Sequence, residues 1–224
     1  MFLSKVTLQQ STHSAIALNK LGANGPYASH QLLWKLFTNE DERNFLFREE
    51  LGQYGLPLFF VLSKTEPQTN QTLFSVQSKR FEPKLKIGQR LAYKLRVNPT
   101  VCVTDDVGKS RRHDVLMHAK YHAGKDEKQP QQNLKATMDK AAQVWISDQK
   151  RLQRWGIQLD MLPEIERYTQ HQSQKKSGNP IRFSSVDFAG VLTIKDPNIF
   201  AGQLSNGFGR AKALGCGLML VKSI

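Results

Sequence analysis

The sequence predicts an α+β fold built from two tandem ferredoxin-like domains, also called RRM-like, each with the element order βαββαβ. Short segments that alternate apolar and polar residues, as half-buried strands do, recur in both halves of the chain. Segments with helical periodicity interrupt them in the same order in each half. A length of 224 residues accommodates two small domains, which we place at residues 1–82 and 88–224.

The first half contains four predicted strands, at residues 2–8, 45–47, 56–62 and 73–77. We interpret residues 9–26 as a loop because they are mostly polar and contain glycine. The first helix is predicted over residues 29–37, where large apolar side chains follow a helical period and Ser29 suits an N-cap. A short second helix is predicted over residues 66–72, since Pro67 is tolerated in a first turn.

The second half repeats this order with a charged insertion. Its extended segments are predicted at residues 90–97, 101–103, 157–162, 181–188, 191–194 and 217–221. The clearest helix covers residues 134–155 and ends at Gly156, because glycine commonly terminates helices. A shorter helix follows Asp196 and runs to about residue 205. We expect residues 105–128 to form a mobile loop or a hairpin, since they are charged and contain two glycines.

The chain is strongly basic, with 32 Lys and Arg against 19 Asp and Glu and a net charge of +13. This excess favours a polyanionic partner, and nucleic acid more than an anionic membrane or an acidic protein. The positive charge lies mostly in the second half and the junction, whereas residues 40–50 hold five acids and two arginines. Arg90, Lys94 and Arg96 lie on one face of a predicted strand, and this face could bind a phosphate backbone. The alternative is that these side chains are ordinary solvent-exposed charges without a ligand.

Several other classes of protein are disfavoured. No apolar run approaches the roughly 18–20 residues of a membrane span, and the N-terminus lacks a signal-peptide pattern. Cys102 and Cys216 are the only cysteines and lie far apart, which argues against a zinc knuckle and a disulfide framework. We therefore expect a cytoplasmic protein with reduced thiols.

Three histidines in the charged insertion are candidate metal ligands. His118 and His122 are spaced i, i+4, with His113 nearby. No Glu lies inside the pair as in His-Glu-x-x-His, and the segment is interpreted as a loop. We therefore expect no metal site and no cofactor.

The C-terminal segment at residues 207–218 is the most distinctive local pattern. It contains Gly207, Gly209, Gly215 and Gly217 together with Arg210 and Lys212. Glycines let backbone N–H groups approach a phosphate closely, whereas the alternative is a plain turn between the last helix and the last strand. No strand precedes the Gly-x-Gly and no Walker ending follows it, so a nucleotide cofactor is not predicted.

This segment belongs to a wider resemblance. Gly-Arg-Ala-Lys-Ala-Leu-Gly-Cys-Gly-Leu-Met-Leu at residues 209–220 resembles the glycine-rich signature of CRISPR repeat-RNA endoribonucleases. Met-Phe-Leu-Ser-Lys-Val at residues 1–6 is similar to the start of the CasE (Cse3) family, the type I-E Cascade subunit. Tyr-Ala-Ser-His-Gln-Leu-Leu-Trp-Lys-Leu-Phe at residues 27–37 resembles its catalytic segment, and residues 45–48 and 188–194 also fit. The resemblance spans the chain in order and implies two ferredoxin-like domains.

The resemblance implies metal-independent cleavage of CRISPR precursor RNA at the base of the repeat stem-loop. The 2′-OH attacks the adjacent phosphate, which leaves a 2′,3′-cyclic phosphate and a 5′-OH. His30 is then expected to act as general acid or base, and Tyr27 to orient the ribose or the scissile phosphate. Without the resemblance, His30 would be interpreted as an ordinary surface or cap histidine. The resemblance also implies that the cleaved RNA is retained beside other Cascade subunits.

The RNA-binding residues are expected on basic segments. The family reads a stem-loop largely by shape and phosphates, with a basic hairpin near the groove. The residues that match this description are Lys175, Lys176 and Arg182 in the hairpin, Arg111 and Arg112 in the charged insertion, and Arg210 and Lys212 in the glycine-rich loop. Two alternatives stay open: a non-catalytic RNA stem-loop binding module of the same fold, and an ancillary scaffold protein.

Overall fold

A computed structural model describes residues 1–68, 72–104, 106–124, 133–174 and 178–224. The chain divides into two compact units. Unit 1 contains Met1–Lys84, Gln170–Arg182 and Leu204–Met219. Unit 2 contains Leu85–Thr169, Phe183–Gln203 and Leu220–Ile224. The chain thus passes from unit 1 to unit 2 between the two predicted domains, and two later segments return to unit 1.

The strands within the described residues are β1 (Phe2–Leu8), β2 (Phe45–Leu51), β3 (Pro57–Ser63), β4 (Phe74–Arg80), β5 (Arg90–Val97), β6 (Thr100–Thr104), β7 (Ser110–Asp114), β8 (Ile157–Leu159), β9 (Glu164–Ser173), β10 (Ile181–Ile194) and β11 (Met219–Ser223). The α-helices are α1 (Thr12–Leu33), α2 (Val115–Gly124), α3 (Leu134–Ile146), α4 (Gln149–Trp155) and α5 (Pro197–Asn206). None of these helices combines the length and the apolar character that a bilayer crossing requires.

Unit 1 is organised around an antiparallel sheet with the strand order β2-β3-β1-β4. This is the strand order of a ferredoxin-like domain, so the predicted fold class is confirmed. Residues of β1 alternate as the sequence predicted, with Val6 and Leu8 buried and Lys5 exposed. The inner face of the sheet packs with α1 around Leu33, Phe59 and other buried side chains.

Helix α1 begins much earlier than the sequence predicted. Residues 9–26 were interpreted as a loop, but the helix starts at Thr12, where the Ser11 hydroxyl accepts a hydrogen bond from the Ser14 N–H at 3.2 Å. Ala17 and Leu21 are buried on one face of this helix. Ser29 lies inside the helix and is not its N-cap.

Unit 2 repeats the same strand order, β11-β5-β10-β8, with β9 paired to β10. Helices α3 and α4 lie between β5 and β8 in the chain, and α5 lies between β10 and β11. Leu95 faces Phe188 across the antiparallel β5–β10 pair, and both side chains are fully buried. The repeated topology predicted from the sequence is therefore present in the second unit as well.

Three local predictions need correction. The helix predicted over residues 134–155 is two helices, because Asp148 caps α4 by accepting from the Arg151 N–H at 2.8 Å, although Gly156 does end it as predicted. The insertion contains the expected hairpin of β6 and β7, followed by helix α2, which the sequence interpretation missed. Described residues within 66–72 form no helix; residues 69–71 lie outside the described part.

Candidate active site

A kink in α1 positions the two candidate catalytic residues. Gly25 leaves the helical conformation with φ 47° and ψ −133°, and Pro26 follows it. Proline suits the first position of a helix because its missing N–H is not needed there. Residues 26–33 therefore form a separate helical segment on which Tyr27 and His30 lie three residues apart, both half-buried.

Hydrogen bonds from Ser29 hold this segment against β2. The Ser29 hydroxyl lies 2.5 Å from Glu49 Oε2, to which it donates, and 3.3 Å from the carbonyl oxygen of Gly25. Ser29 is itself fully buried. A buried hydroxyl bonded to a carboxylate is a strong restraint, so it holds the helical segment that carries His30 in place against β2.

The His30 imidazole lies between aromatic side chains. Its ring makes an edge contact with Trp34, with centroids 5.7 Å apart, and a tilted contact with Phe45 at 5.9 Å. Its Nε2 is shielded from solvent and has no hydrogen-bond partner among the described residues. Burial, and next the positive charge of Arg43, lower the pKa of His30 below its ordinary value of 6.5. The ring is therefore neutral at pH 7.

Arg43 is a member of the site that sequence reasoning missed. Its guanidinium Nη1 donates to the carbonyl oxygen of Phe45 at 2.8 Å, and partial burial lowers its pKa. Its positive charge is the second cause, after burial, of the lowered pKa of both His30 and Lys212. Residues 40–50 hold five acids and two arginines, so the composition of this stretch does not predict a cation site.

The glycine-rich segment belongs to the same unit as His30. The Phe208 N–H donates to the Gly217 carbonyl at 2.9 Å, which closes the loop at its base. Gly217 has φ 90°, and a Cβ there would lie 2.8 Å from the Phe208 carbonyl oxygen. The loop is therefore a tight turn, and its short 3-10 helix Lys212–Leu214 contacts α1 and β2.

Lys212 is the cation of this loop that approaches the candidate site. Its Nζ donates to the Asn206 carbonyl oxygen at 2.6 Å. Burial, and next the charge of Arg43, lower its pKa. Arg210 is exposed on the same loop. The structure thus gathers His30, Arg43 and Lys212 in an electropositive neighbourhood, of which the sequence predicted two members.

The other predicted RNA-binding residues are distributed over both units. Arg182 is exposed at the start of β10, in unit 1. Arg111 and Arg112 are exposed on β7, in unit 2. Lys175 and Lys176 lie outside the described residues. The roles of all of these residues stay predictions.

Asn24 links the kink of α1 to the end of β9. Its side-chain amide donates to the Gln174 carbonyl at 2.8 Å and accepts from the Gln174 N–H at 2.6 Å. Its backbone carbonyl accepts from the Ser173 hydroxyl at 2.9 Å. These three bonds join segments 149 or 150 residues apart in the chain and hold the kink of α1 against the end of β9.

The histidines of the insertion lie on and beside α2. The Nε2 atoms of His118 and His122 are 3.1 Å apart, and His113 contacts His118 with ring centroids 5.8 Å apart. The segment is helical at these positions, and not a loop as predicted. In the described part of the chain, no group of three or more His, Cys, Asp or Glu side chains is arranged to hold a metal ion.

Comparison with known proteins gives consistent matches over the whole chain. The sequence matches the CRISPR associated protein family over residues 1–223. It is 27% identical over 222 residues to the CRISPR system Cascade subunit CasE of Escherichia coli strain K12, covering 98% of both chains. It is 28% identical over 243 residues to the CRISPR-associated endoribonuclease Cse3 of Thermus thermophilus, covering 99% of both.

The fold is also similar to a solved structure of that enzyme. The structure of Thermus thermophilus Cse3 bound to an RNA representing a pre-cleavage complex superimposes with a TM-score of 0.70 at 26% identity. The similarity covers 99% of this chain and 98% of that chain. The resemblance to the CasE (Cse3) family that the sequence indicated is thereby confirmed.

Proposed function

We propose that this chain, which belongs to the CRISPR-associated protein family, is an endoribonuclease that cleaves CRISPR precursor RNA at the base of the repeat stem-loop. The cleaved RNA would remain bound, and the protein would hold it as a subunit of a Cascade complex in the cytoplasm. The relatives support this proposal, since one is named a Cascade subunit and another an endoribonuclease. The main supporting observation is the position of His30 on the helical segment after the kink, with a shielded Nε2 and a lowered pKa, while the loop that bears Lys212 contacts the same helix.

The cleavage step uses groups of the RNA and of this chain, and the proton that reaches the leaving 5′-oxygen comes from solvent. The ribose 2′-oxygen forms a bond to the adjacent phosphorus as its proton leaves, and the bond from phosphorus to the 5′-oxygen breaks. The products are a 2′,3′-cyclic phosphate and a 5′-OH, so one proton is removed at the start and one is delivered at the end. Water is not consumed, and no redox change occurs.

His30 is proposed to accept the proton of the 2′-OH. A general base must be unprotonated, and the lowered pKa of His30 provides that form at pH 7. Nε2 faces the protein interior in the free chain. A 180° rotation of the ring about its Cβ–Cγ bond exchanges the positions of Nε2 and Cε1. We propose that this rotation presents Nε2 to the 2′-OH. Tyr27 is proposed to orient the ribose or the phosphate from the same helical segment.

Arg43 and Lys212 are proposed to stabilise the charge that builds up on the phosphate during attack. Cations that are already positioned and partly shielded from water stabilise such a charge more strongly than exposed cations do. Exposed Arg182 and Arg210, together with Lys175, Lys176, Arg111 and Arg112, are proposed to contact RNA phosphates.

The test is cleavage of a 5′-labelled repeat hairpin, taken from the CRISPR array beside the gene, in the presence of EDTA. We expect a single cut that disappears when the nucleotide upstream of the scissile phosphate carries a 2′-deoxy sugar. His30→Ala is expected to lower the single-turnover rate by about 100-fold to 10,000-fold, the usual contribution of a general acid or base, with little change in hairpin affinity.

The control variant is His13→Ala, since His13 is an exposed histidine in the first turn of the same helix. It is expected to cut at the wild-type rate. Cleavage of the 2′-deoxy hairpin, or a cut that requires a divalent metal, would refute the transesterification. Tight hairpin binding without any cut would make the protein a non-catalytic stem-loop binder, and no binding at all would leave the scaffold alternative.

A further inference from the structure

A cleft of about 400 Å³ lies along α1 beside Tyr27, in unit 1. It extends across the kink, so residues from both segments of the helix line it. Its volume falls within the range of about 300–1,000 Å³ typical of ligand sites. Tyr27 is the lining residue to which a catalytic role is assigned above, and no role has been assigned to the rest of the cleft.

The cleft has an apolar floor and a polar rim. The floor is made by the edges of small and aliphatic side chains that belong to the core, among them Leu21, Ala28 and Leu32. The rim carries the Tyr27 ring, the Gln31 amide and the lysines 20 and 35. Both lysines and Gln31 are exposed, and no described lining residue is acidic.

One wall of the cleft is fixed in place by the Asn24 hydrogen bonds. Gln174 forms part of that wall, and its backbone is bonded at both N–H and C=O to the Asn24 side chain. The amide nitrogen and the amide oxygen of Asn24 each bond to the Gln174 backbone. We therefore assign Asn24 the role of shaping the cleft and not of contacting a ligand. A wall held by three hydrogen bonds keeps the cleft open in the free protein.

We propose that this cleft binds one unpaired nucleotide of the RNA, next to the phosphate that is cut. An aromatic ring and an apolar floor suit the two faces of a base, an amide suits its hydrogen-bonding edge, and lysines suit the flanking phosphates. The absence of carboxylates among the described lining residues suits a polyanion and disfavours a cationic ligand.

The position of the cleft links it to the proposed chemistry. Tyr27 lines the cleft, and His30 lies one helical turn farther on. Side chains three residues apart on a helix are separated by about 5–6 Å at Cβ, so a ligand that contacts Tyr27 in the cleft lies close to His30. The proposed nucleotide site rests on the proposed function. It adds that α1 binds single-stranded RNA beside the stem.

The test measures equilibrium binding, not cleavage. The RNA is the repeat hairpin with its flanking single strands and a 2′-deoxy sugar at the cleavage position, studied in EDTA. The fluorescent base 2-aminopurine replaces each unpaired base near the cleavage position in turn. We expect one position at which binding of the protein changes the fluorescence, and an abasic nucleotide at that position to weaken binding about tenfold.

A variant that fills the cleft separates this site from general RNA binding. Ala23 is an exposed residue of the lining, so Ala23→Trp obstructs the cleft without disturbing the core. It is expected to weaken binding of the intact RNA about tenfold and to leave binding of the abasic RNA unchanged. Ala15→Trp is the matched control, because Ala15 is exposed on the same helix outside the lining.

Each other outcome has a defined meaning. If no abasic position weakens binding, or if Ala23→Trp weakens both RNAs equally, the nucleotide site is refuted while the endoribonuclease proposal stands. If Ala23→Trp leaves RNA binding intact but prevents assembly with other subunits, the cleft is a protein-docking site and the inference is wrong. If the wild-type protein does not bind the hairpin at all, the proposed function itself fails.

Discussion

The cations beside His30 and the cations on the sheet of unit 2 differ in the groups to which they are hydrogen-bonded. On the sheet, Arg90 pairs with Asp160 at 2.7 Å, and Lys94 pairs with Glu166. Arg96 forms two bonds to Asp187, at 2.8 and 2.9 Å. Beside His30, Arg43 and Lys212 donate to backbone carbonyls and form no ion pair within the described residues.

The location of basic residues in a sequence therefore does not locate an anion site. A carboxylate at hydrogen-bond distance cancels most of the field of its cation, so the strand that looked most basic presents paired charges. Within the described residues, the hydrogen-bond partners of Arg43 and Lys212 are backbone carbonyls and not carboxylates, so their charge is not cancelled by a bonded anion.

The largest expected effect comes from removing the charge of Arg43. Arg43→Ala is expected to lower the single-turnover cleavage rate about a thousandfold, the upper range for losing one group that stabilises transition-state charge. Arg43→Gln keeps an N–H donor for the Phe45 carbonyl and should lose a similar factor, since the charge is what matters. Rapid-quench measurement at saturating protein gives the rate.

Lys94→Ala provides the control on the paired sheet. Its cation is already matched by Glu166, so we expect a change in cleavage rate of less than about threefold. Equal losses for the variants at positions 43 and 94 would show that the contrast between the two regions has no bearing on catalysis.

The second prediction concerns stability instead of rate. Arg96→Met leaves Asp187, which is only 7% exposed, without its cation, and we expect the free energy of unfolding to fall by about 3 kcal/mol. The double variant with Asp187→Asn should regain much of this loss because no buried charge remains. Urea unfolding measures both, and the cleavage rate of folded protein should not change.

The strand order of both units and the segment containing His30 could be predicted from the sequence. Strand alternation is a local property, and β5 shows it, with Leu91, Tyr93 and Leu95 buried on one face. The first half of α1 could not be predicted in the same way. Gly22, Gly25 and Pro26 suggest a turn, and the helix is stabilised by burying its apolar face, which only the fold reveals.

Arg43 was missed for a different physical reason. It lies in residues 40–50, which hold five acids and two arginines, so the net charge of this stretch is negative. In the fold, Glu50 pairs with Arg48 and Glu49 accepts from Ser29, which engages two of those carboxylates elsewhere. Side-chain pairing of this kind depends on tertiary contacts, and a count along the sequence cannot show it.

The third prediction tests the turn that carries Lys212 to the site. Gly217→Ala places a methyl group against the Phe208 carbonyl oxygen at a φ of 90°, and we expect a loss of stability of about 3 kcal/mol. Gly55→Ala is the matched control in the same unit, because its φ of 72° is similar but its surroundings are open. It should lose only about 1 kcal/mol, the cost of the backbone conformation. Thermal unfolding of the two variants compares them, and equal losses would show that close packing of the loop is unimportant.

The smallest expected effect is a shift in the titration of His30. Burial and Arg43 both disfavour the imidazolium, so its pKa in the free protein should lie below 6.5, and the neutral base should persist as the pH falls toward that value. Arg43→Gln removes the second cause and leaves the first, so the pKa should rise and yet stay below 6.5. NMR titration of the imidazole signal, assigned with His30→Ala, measures this directly.

Because a general base must be unprotonated, the cleavage rate of wild-type protein should rise with pH through this pKa and then level off. The same rise should begin at higher pH in Arg43→Gln, and an unchanged profile would mean that Arg43 does not act on His30 during the reaction.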